Sequence, residues 1–136
     1  LTLQYMSERS AFGRTINKFQ VLRHRIAQMA SETELNRQFC YHIYERYQAG
    51  EYVVKEASMA KLLGTQLADK VTTQCLQMFG GYGYMEDYPI ARMWRDARLG
   101  QIGGGTSQIL CEIISKMMIE GKGYSTPMTE SKKQEA

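Results

Sequence analysis

The stretch "KFQVLRHRIAQMASETELNRQFCYHIYERYQAGEY", residues 18–52, decides the fold class. Many of its apolar side chains recur at steps of three and four residues, which is the spacing of one face of an amphipathic α-helix. That face comprises Phe19, Leu22, Ile26, Met29, Thr33, Cys40, Ile43 and Tyr47. The pattern predicts a helix from Lys18 to about Ala49. Gly50 is its expected end, because glycine favours the left-handed conformation that follows a helix.

A second long helix is predicted from about Tyr52 to Phe79. Its inward stripe, several of whose members are small, comprises Ala57, Ala60, Leu63, Leu67, Val71, Cys75 and Met78. The connection at residues 49–51 is short, so we expect the two long helices to be antiparallel neighbours. Gly64 costs the second helix up to ~1 kcal/mol relative to alanine, and close packing against a neighbouring helix would explain its presence.

The remaining segments predict shorter helices and loops. Residues 1–9 start in mid-pattern, and we interpret them as the end of a helix that begins earlier in a longer protein. Loops are predicted at residues 10–17 and 80–89. Further helices are predicted from Pro89 to about Leu99 and from Ser107 to about Glu120. Five side chains of the last helix are expected to point inward: Ile109, Leu110, Ile113, Ile114 and Met117.

These segments include no convincing alternating strand and no repeat, so we predict an all-α, antiparallel four-helix bundle over residues 1–123. Residues 124–136 are polar, and a disordered tail is expected there. The 136 residues suffice for one domain, and a net charge of +3 gives no reason to expect nucleic-acid binding. No apolar run reaches the ~18 residues of a membrane span.

The three cysteines, Cys40, Cys75 and Cys111, are widely spaced within helical patterns. We interpret them as reduced core residues of a protein in a reducing compartment, without a disulfide. His24 and His42 have no cysteine or second histidine at ligand spacing, so no metal site is predicted.

Three stretches admit both a structural and a functional interpretation. The glycines at 103–105 precede a helix start with Thr106 or Ser107 as its cap, which suits either a flexible loop or close approach of an anionic or planar ligand. "QMFGGYGY", residues 77–84, suits either a glycine helix end with packed aromatics or a flat-ligand site lined by tyrosines. The arginines and lysine of residues 8–25 suit either a solvated face or phosphate contacts. "RMWRDAR", residues 92–98, is interpreted as a structural ion-pair network.

Three motifs in this order resemble the C-terminal helical domain of the acyl-CoA dehydrogenase family: "ERSAFGRTINKFQ", "QCLQMFGGYGYMEDYPIARMWRDARLGQI" and "GGTSQI". The resemblance covers residues 1–120. It implies an FAD-dependent oxidation of acyl-CoA to trans-2-enoyl-CoA by a dimer or tetramer that carries FAD between its subunits. It also implies a bacterial cytoplasmic or mitochondrial-matrix location, and electron-transfer flavoprotein as a partner.

The resemblance also assigns roles to residues. Arg9, with Phe12 beside it, matches a contact to the FAD pyrophosphate, and Phe19 and Gln20 match a second cofactor contact. The segment that touches the adenosine half of FAD across the interface corresponds to Gln77, Met78, Phe79, Gly80 and Gly81. Thr106 and Gln108 match residues that approach FAD at the start of the last helix. Gly105 matches a backbone position near the acyl-CoA.

This chain departs from many family members at Gly104, where they carry a catalytic glutamate. Glycine cannot accept a proton, so no catalytic residue is predicted within the chain. The isovaleryl-CoA and long-chain branches also have glycine here, and place their glutamate on an earlier helix, which here would precede Leu1. The isolated chain is therefore expected to be inactive. Two alternatives remain: a non-catalytic helical oligomerisation module, and a relative of acyl-CoA oxidases or nitroalkane oxidases.

Overall fold

A computed structural model describes residues 1–124 of the chain, and these residues are predominantly helical. The five α-helices are α1 (Thr2–Glu8), α2 (Gln20–Gln48), α3 (Val54–Phe79), α4 (Pro89–Ala97) and α5 (Ser107–Ile119). The all-α prediction is confirmed. None of these helices is long and apolar enough to cross a membrane. All but the first residue of the predicted disordered tail lies outside the described part of the chain.

The helix ends lie close to the predicted positions, and local signals account for them. Gly50 follows α2 with φ +80°, and Gly80 follows α3 with φ +60°, a conformation that glycine adopts without steric cost. Pro89 is the first residue of α4. The Thr106 hydroxyl accepts a hydrogen bond from the Ile109 N–H at 3.3 Å and so caps α5.

Both predicted loops contain short regular elements. In the first loop, β1 (Ser10–Ala11) and β2 (Arg14–Thr15) form an antiparallel pair, and a 3₁₀ turn follows at Ile16–Lys18. The second loop begins with a 3₁₀ turn at Gly80–Tyr84. Strands of two residues are too short to produce an alternating pattern, which is why the sequence analysis missed them.

Helix α3 is the central element. Helix α2 runs antiparallel to it, and the Lys70 ammonium bonds both carboxylate oxygens of Glu32 at 2.7 Å across this interface. Helix α4 returns along the C-terminal half of α3, where the Trp94 indole N–H donates to the Thr73 hydroxyl at 3.1 Å. Helix α5 continues in the same direction along the N-terminal half of α3. The two shorter helices therefore cover successive stretches of α3.

The main core lies where α1, α2, α4 and the first 3₁₀ turn meet the C-terminal half of α3. Its buried members are Met6, Ile16, Met29, Cys75, Met78, Phe79 and Ile90. Burial of such side chains is worth about 1.5–3 kcal/mol each. The C-terminal end of α3 is therefore the best-anchored part of the domain.

Several side chains that were predicted to be inward are exposed instead: Thr33, Cys40, Tyr47, Ala57, Leu63 and Ile109. Cys111 is also exposed, so only Cys75 is the buried cysteine that the pattern predicts. A stripe identifies the apolar face of a helix, but a neighbour has to cover that face to bury it. Helix α2 packs on α3 along one side only, which leaves part of its stripe open.

Gly64 occupies a close approach between α2 and α3. A Cβ atom there would lie 3.0 Å from the Asn36 side-chain amide nitrogen. This is tighter than ordinary van der Waals contact, so the close packing expected from the sequence accounts for glycine inside this helix.

Candidate functional site

Two distant parts of the chain meet at a cleft of about 680 Å³, which we call the aromatic cleft. The N-terminal part contributes Tyr5, Arg9, Ala11, Phe12 and Ile16. The end of α3 and the turn after it contribute Gln77, Met78, Phe79, Gly80, Gly81, Tyr82 and Met85. The cleft lies directly on the core, because Ile16, Met78 and Phe79 belong to both.

Tyr5 joins the two parts of the cleft. Its ring stacks on the Phe79 ring with centroids 4.0 Å apart and planes inclined by 15°. Its hydroxyl donates to the Phe79 carbonyl oxygen at 3.2 Å. Burial raises the pKa of Tyr5 above its ordinary value, and the nearby Arg9 charge offsets this only in part. The contact holds the N-terminal segment against the end of α3.

Arg9 places an unpaired positive charge at the edge of the cleft. Its backbone N–H ends α1 by bonding the Tyr5 carbonyl oxygen at 2.8 Å, and its guanidinium carbon lies 5.2 Å from the Tyr82 ring centroid. No carboxylate of residues 1–124 forms an ion pair with it. A guanidinium on an aromatic face keeps its edge donors free, so Arg9 can bind an anion bidentately.

Phe12 is held in an unfavourable backbone conformation with its ring in solvent. Its φ is +52°, and it is the one non-glycine residue of the described chain with a positive φ. The side chain is 95% exposed, with one edge-on contact to Phe19 at 6.3 Å. A bulky residue in this region costs of order 1–2 kcal/mol, and such strain is concentrated at functional sites.

The three glycines near the cleft have different roles. A Cβ atom at Gly80 or Gly81 would meet nothing within 4 Å, so their backbone is open to a ligand. A Cβ atom at Gly83 would lie 2.5 Å from the Leu76 carbonyl oxygen, so glycine is required there for packing. Tyr82 lines the cleft, whereas Tyr84 is 81% exposed and lies outside it.

A second patch precedes α5, and we call residues 103–106 the glycine loop. Gly104 and Gly105 have φ values of +62° and +95°. The Lys61 ammonium of α3 donates to the Gly103 carbonyl oxygen at 2.7 Å and to the Gly105 carbonyl oxygen. Gln108 is exposed on the first turn of α5.

The structure groups most, but not all, of the predicted contact residues. Arg9, Phe12 and residues 77–81 share the aromatic cleft, whereas Phe19 packs against the core beside it and Gln20 lies on the surface at the start of α2. Thr106, Gln108 and Gly105 belong to the second patch. Lys61 and Gln77 lie on α3 sixteen positions apart, which separates the two patches by about 24 Å along the helix axis.

Sequence analysis missed two residues of these patches, Tyr5 and Lys61. Tyr5 contacts a residue 74 positions away, and Lys61 contacts carbonyls 42 and 44 positions away. Helical periodicity reports neighbours three and four positions apart, so it carries no signal for either contact.

Glu86 and Glu112 are both engaged in surface ion pairs. Glu86 accepts a hydrogen bond from Arg95 at 2.9 Å, and this bond holds the pKa of Glu86 below its ordinary value. Glu112 pairs with Lys116 at 2.9 Å. Within residues 1–124, the predicted ion-pair network of residues 92–98 thus has one pair, Arg95–Glu86, whose acid lies outside that segment. Among residues 1–124, no group of three or more His, Cys, Asp or Glu side chains could hold a metal ion.

Comparisons with known proteins identify the family to which this fold belongs. Residues 1–119 match the family described as "Acyl-CoA dehydrogenase, C-terminal domain". The mitochondrial short/branched chain specific acyl-CoA dehydrogenase of Bos taurus is 41% identical over 115 residues, which cover 85% of this chain and 27% of the bovine protein. The chain therefore spans about a quarter of the length of this relative.

Two solved structures share the fold. An acyl-CoA dehydrogenase from Geobacillus kaustophilus superposes with a TM-score of 0.85 at 41% identity, over 87% of this chain and 31% of that one. An FAD complex of PigA superposes with a TM-score of 0.81 at 28% identity, over 86% of this chain and 30% of that one. The ordered motifs, the helical fold and these matches place the chain in the acyl-CoA dehydrogenase family, as its C-terminal domain.

Proposed function

We propose that this chain is the FAD-contacting C-terminal domain of an enzyme that oxidises an acyl-CoA to its trans-2-enoyl-CoA. The observation that supports this most directly is the aromatic cleft, which brings Arg9 beside residues 77–81. These residues are at least 68 positions from Arg9 in the chain. The cofactor supplies a hydride acceptor when it is bound. The domain supplies binding and orientation.

The residues of the cleft fit an adenine dinucleotide. A pyrophosphate needs a cationic fork, and Arg9 offers one without a competing carboxylate. A flat ring system needs an aromatic surface and close access to the backbone, which Phe12, Gly80 and Gly81 provide. The PigA structure, which shares this fold, is a complex with FAD and supports the same assignment.

In this proposal the two patches contact two different FAD molecules. They lie about 24 Å apart along α3, and the family resemblance assigns the aromatic cleft to the FAD of a neighbouring subunit. Thr106, Gln108 and Gly105 would then face the FAD and acyl-CoA of the same subunit. A homo-oligomer, dimer or tetramer, follows from this division.

Exposed apolar side chains support the oligomer. Leu35 and Leu63 are 72% and 54% exposed and line a groove of about 510 Å³ between α2 and α3. Burial of such side chains on association is favourable by about 25 cal/mol per Å² of apolar surface. A second subunit is the proposed cover for this face.

The proton acceptor of the reaction lies elsewhere in the full protein. Gly104 has no side chain, and Glu86 and Glu112 are held in surface pairs. We therefore propose a glutamate on a helix that precedes this domain, and an inactive domain when it stands alone. The bacterial cytoplasm or the mitochondrial matrix is the proposed location.

The test uses the full-length protein that carries this chain. We expect purified protein to contain FAD, whose visible absorbance bleaches on anaerobic addition of an acyl-CoA. Arg9→Met should weaken FAD binding by about tenfold to hundredfold, since charge-assisted hydrogen bonds are worth about 1.5–3 kcal/mol. Arg14→Met is the matched control: Arg14 lies 4.4 Å from the Phe19 ring centroid and does not line the cleft.

A protein that takes up no FAD under reconstitution would overturn the proposal. Rapid oxygen consumption, rather than electron transfer to an electron-transfer flavoprotein, would favour the oxidase relatives. A stable FAD-free oligomer would favour a non-catalytic oligomerisation module.

A further inference from the structure

We infer that Lys61 is a positioning residue that sets the conformation of the glycine loop at the start of α5. The inference rests on the proposed function, because it takes this loop to face the cofactor and the substrate. No motif of the chain includes Lys61, and the assignment comes from its two contacts to Gly103 and Gly105.

Lys61 is directed to the loop because it has no acidic partner. Lys61 is a half-buried residue, and its ammonium forms no ion pair with a carboxylate of residues 1–124, unlike that of Lys70 on the same helix, which pairs with Glu32. A partly desolvated ammonium needs acceptors for its protons. The carbonyl oxygens of Gly103 and Gly105 provide two of them.

The two contacts determine the orientation of the loop peptides. They bracket Gly104, and the N–H and C=O groups of a trans peptide point in opposite directions. With both carbonyls turned toward α3, the N–H groups of Gly104 and Thr106 point away from it. Neither N–H has a protein acceptor within the described chain. Lys61 thus presents two free donors on the outer side of the loop.

The loop depends on this external contact because its own residues do not restrict it. Consecutive glycines have the largest backbone freedom of any residue, and Gly104 and Gly105 adopt left-handed conformations among many that are open to them. Gly100 docks on the same face of α3, where a Cβ atom would lie 3.0 Å from Thr65. One face of α3 therefore anchors the segment before α5 at both ends.

The test compares Lys61→Met, Lys61→Arg and Lys70→Met in the FAD-loaded full-length protein. Lys70→Met is the matched control, because it also removes a hydrogen-bonded lysine of α3 but one that contacts α2. The first readout is amide hydrogen exchange. We expect exchange of the Gly103, Ile109 and Leu110 N–H groups, which bond Leu99 and Thr106 in and beside the loop, to rise about tenfold or more in Lys61→Met, since two charge-assisted bonds that fix the loop are lost. Lys61→Arg should restore most of the protection.

The second readout separates positioning from simple stability. We expect Lys61→Met to lower kcat about tenfold with KM changed less than about twofold, as for an interaction expressed mainly in the transition state. The visible spectrum of bound FAD should shift in Lys61→Met and not in Lys70→Met. Partial recovery of kcat by Lys61→Arg would support the assignment.

Equal exchange of the Gly103, Ile109 and Leu110 N–H groups in Lys61→Met and Lys70→Met would overturn the inference, and so would an unchanged kcat in Lys61→Met. If Lys61→Met does not fold, Lys61→Gln replaces it, because its amide can still donate to one carbonyl and should give intermediate exchange. Unmodified protein without FAD would contradict the proposed function, while the exchange comparison would still decide the role of Lys61.

Discussion

The Tyr5 ring stacks on the Phe79 ring at 4.0 Å, and the Tyr5 hydroxyl bonds the Phe79 carbonyl oxygen at 3.2 Å. The Tyr5 side chain thereby joins α1 to the end of α3 through both its ring and its hydroxyl group. Phe79 is 3% exposed, so this joint is continuous with the core. The geometry of the aromatic cleft depends on it.

Replacement of Tyr5 should separate the contributions of the ring stack and of the hydrogen bond to the free energy of unfolding. Tyr5→Phe keeps the stack and loses the hydrogen bond, and we expect the free energy of unfolding to fall by about 1 kcal/mol. Tyr5→Leu also loses the aromatic pair, and we expect a loss of about 2 kcal/mol. Chemical denaturation of the three proteins measures both values. Equal losses in the two variants would contradict a stabilising ring contact.

Alkaline pH should weaken the same joint. The folded-state pKa of Tyr5 is raised by burial, so the folded protein holds this proton more tightly than the unfolded chain, whose tyrosine titrates near 10.0. The stabilisation that this raised pKa gives the folded state is fully present below the unfolded pKa and is lost as the pH rises through the folded pKa. Relative to Tyr5→Phe, the native protein should lose stability as the pH rises above about 10. A constant difference between the two proteins above that pH would argue against the raised pKa.

Gly83 and Gly81 offer a matched test of packing against ligand access. Gly83→Ala places a Cβ atom 2.5 Å from the Leu76 carbonyl oxygen, and we expect a loss of about 1–3 kcal/mol in the free energy of unfolding. Gly81→Ala meets nothing within 4 Å and should leave stability within about 0.5 kcal/mol. Its methyl group occupies the open backbone of the cleft, so FAD affinity should fall. Thermal unfolding and flavin titration give the two readouts.

Phe12→Gly should raise stability while it weakens cofactor binding. Glycine relieves a left-handed conformation that costs about 1–2 kcal/mol and adds about 0.5–1 kcal/mol of unfolded-state entropy, so we expect a net gain of about 0.5 kcal/mol. Loss of the ring should weaken FAD binding by about tenfold, the value of one stacked aromatic contact. A variant that loses stability and keeps its FAD affinity would be evidence that Phe12 has only a structural role.

Thr106→Ala removes the cap of α5. The hydroxyl that accepts a hydrogen bond from the Ile109 N–H is lost, and we expect the free energy of unfolding to fall by about 1 kcal/mol. Thr106→Ser retains the oxygen and should behave like the native protein. Far-ultraviolet circular dichroism during denaturation measures the difference. Identical curves for the two variants would show that the 3.3 Å contact does not stabilise the helix.

Local patterns in the sequence were sufficient for most of the fold. The three- and four-residue spacing predicted both long helices within a few residues of their ends, and Gly50, Pro89 and Thr106 marked boundaries by local backbone chemistry. The stripe was less reliable for burial: Leu63 and Ile109 lie on predicted inward faces and are exposed. Burial needs a covering neighbour, and periodicity does not say where one lies.

The sequence by itself determined the helices, their caps, the family and the glycine at position 104, because each of these depends on residues that are close together in the chain or on an ordered set of motifs. Only the tertiary structure decided that Tyr5 binds Phe79, that Arg9 shares a cleft with residues 77–81 and that Lys61 holds the glycine loop. These contacts join residues more than 40 positions apart. They arise from how the helices pack along α3, and no local pattern specifies that packing.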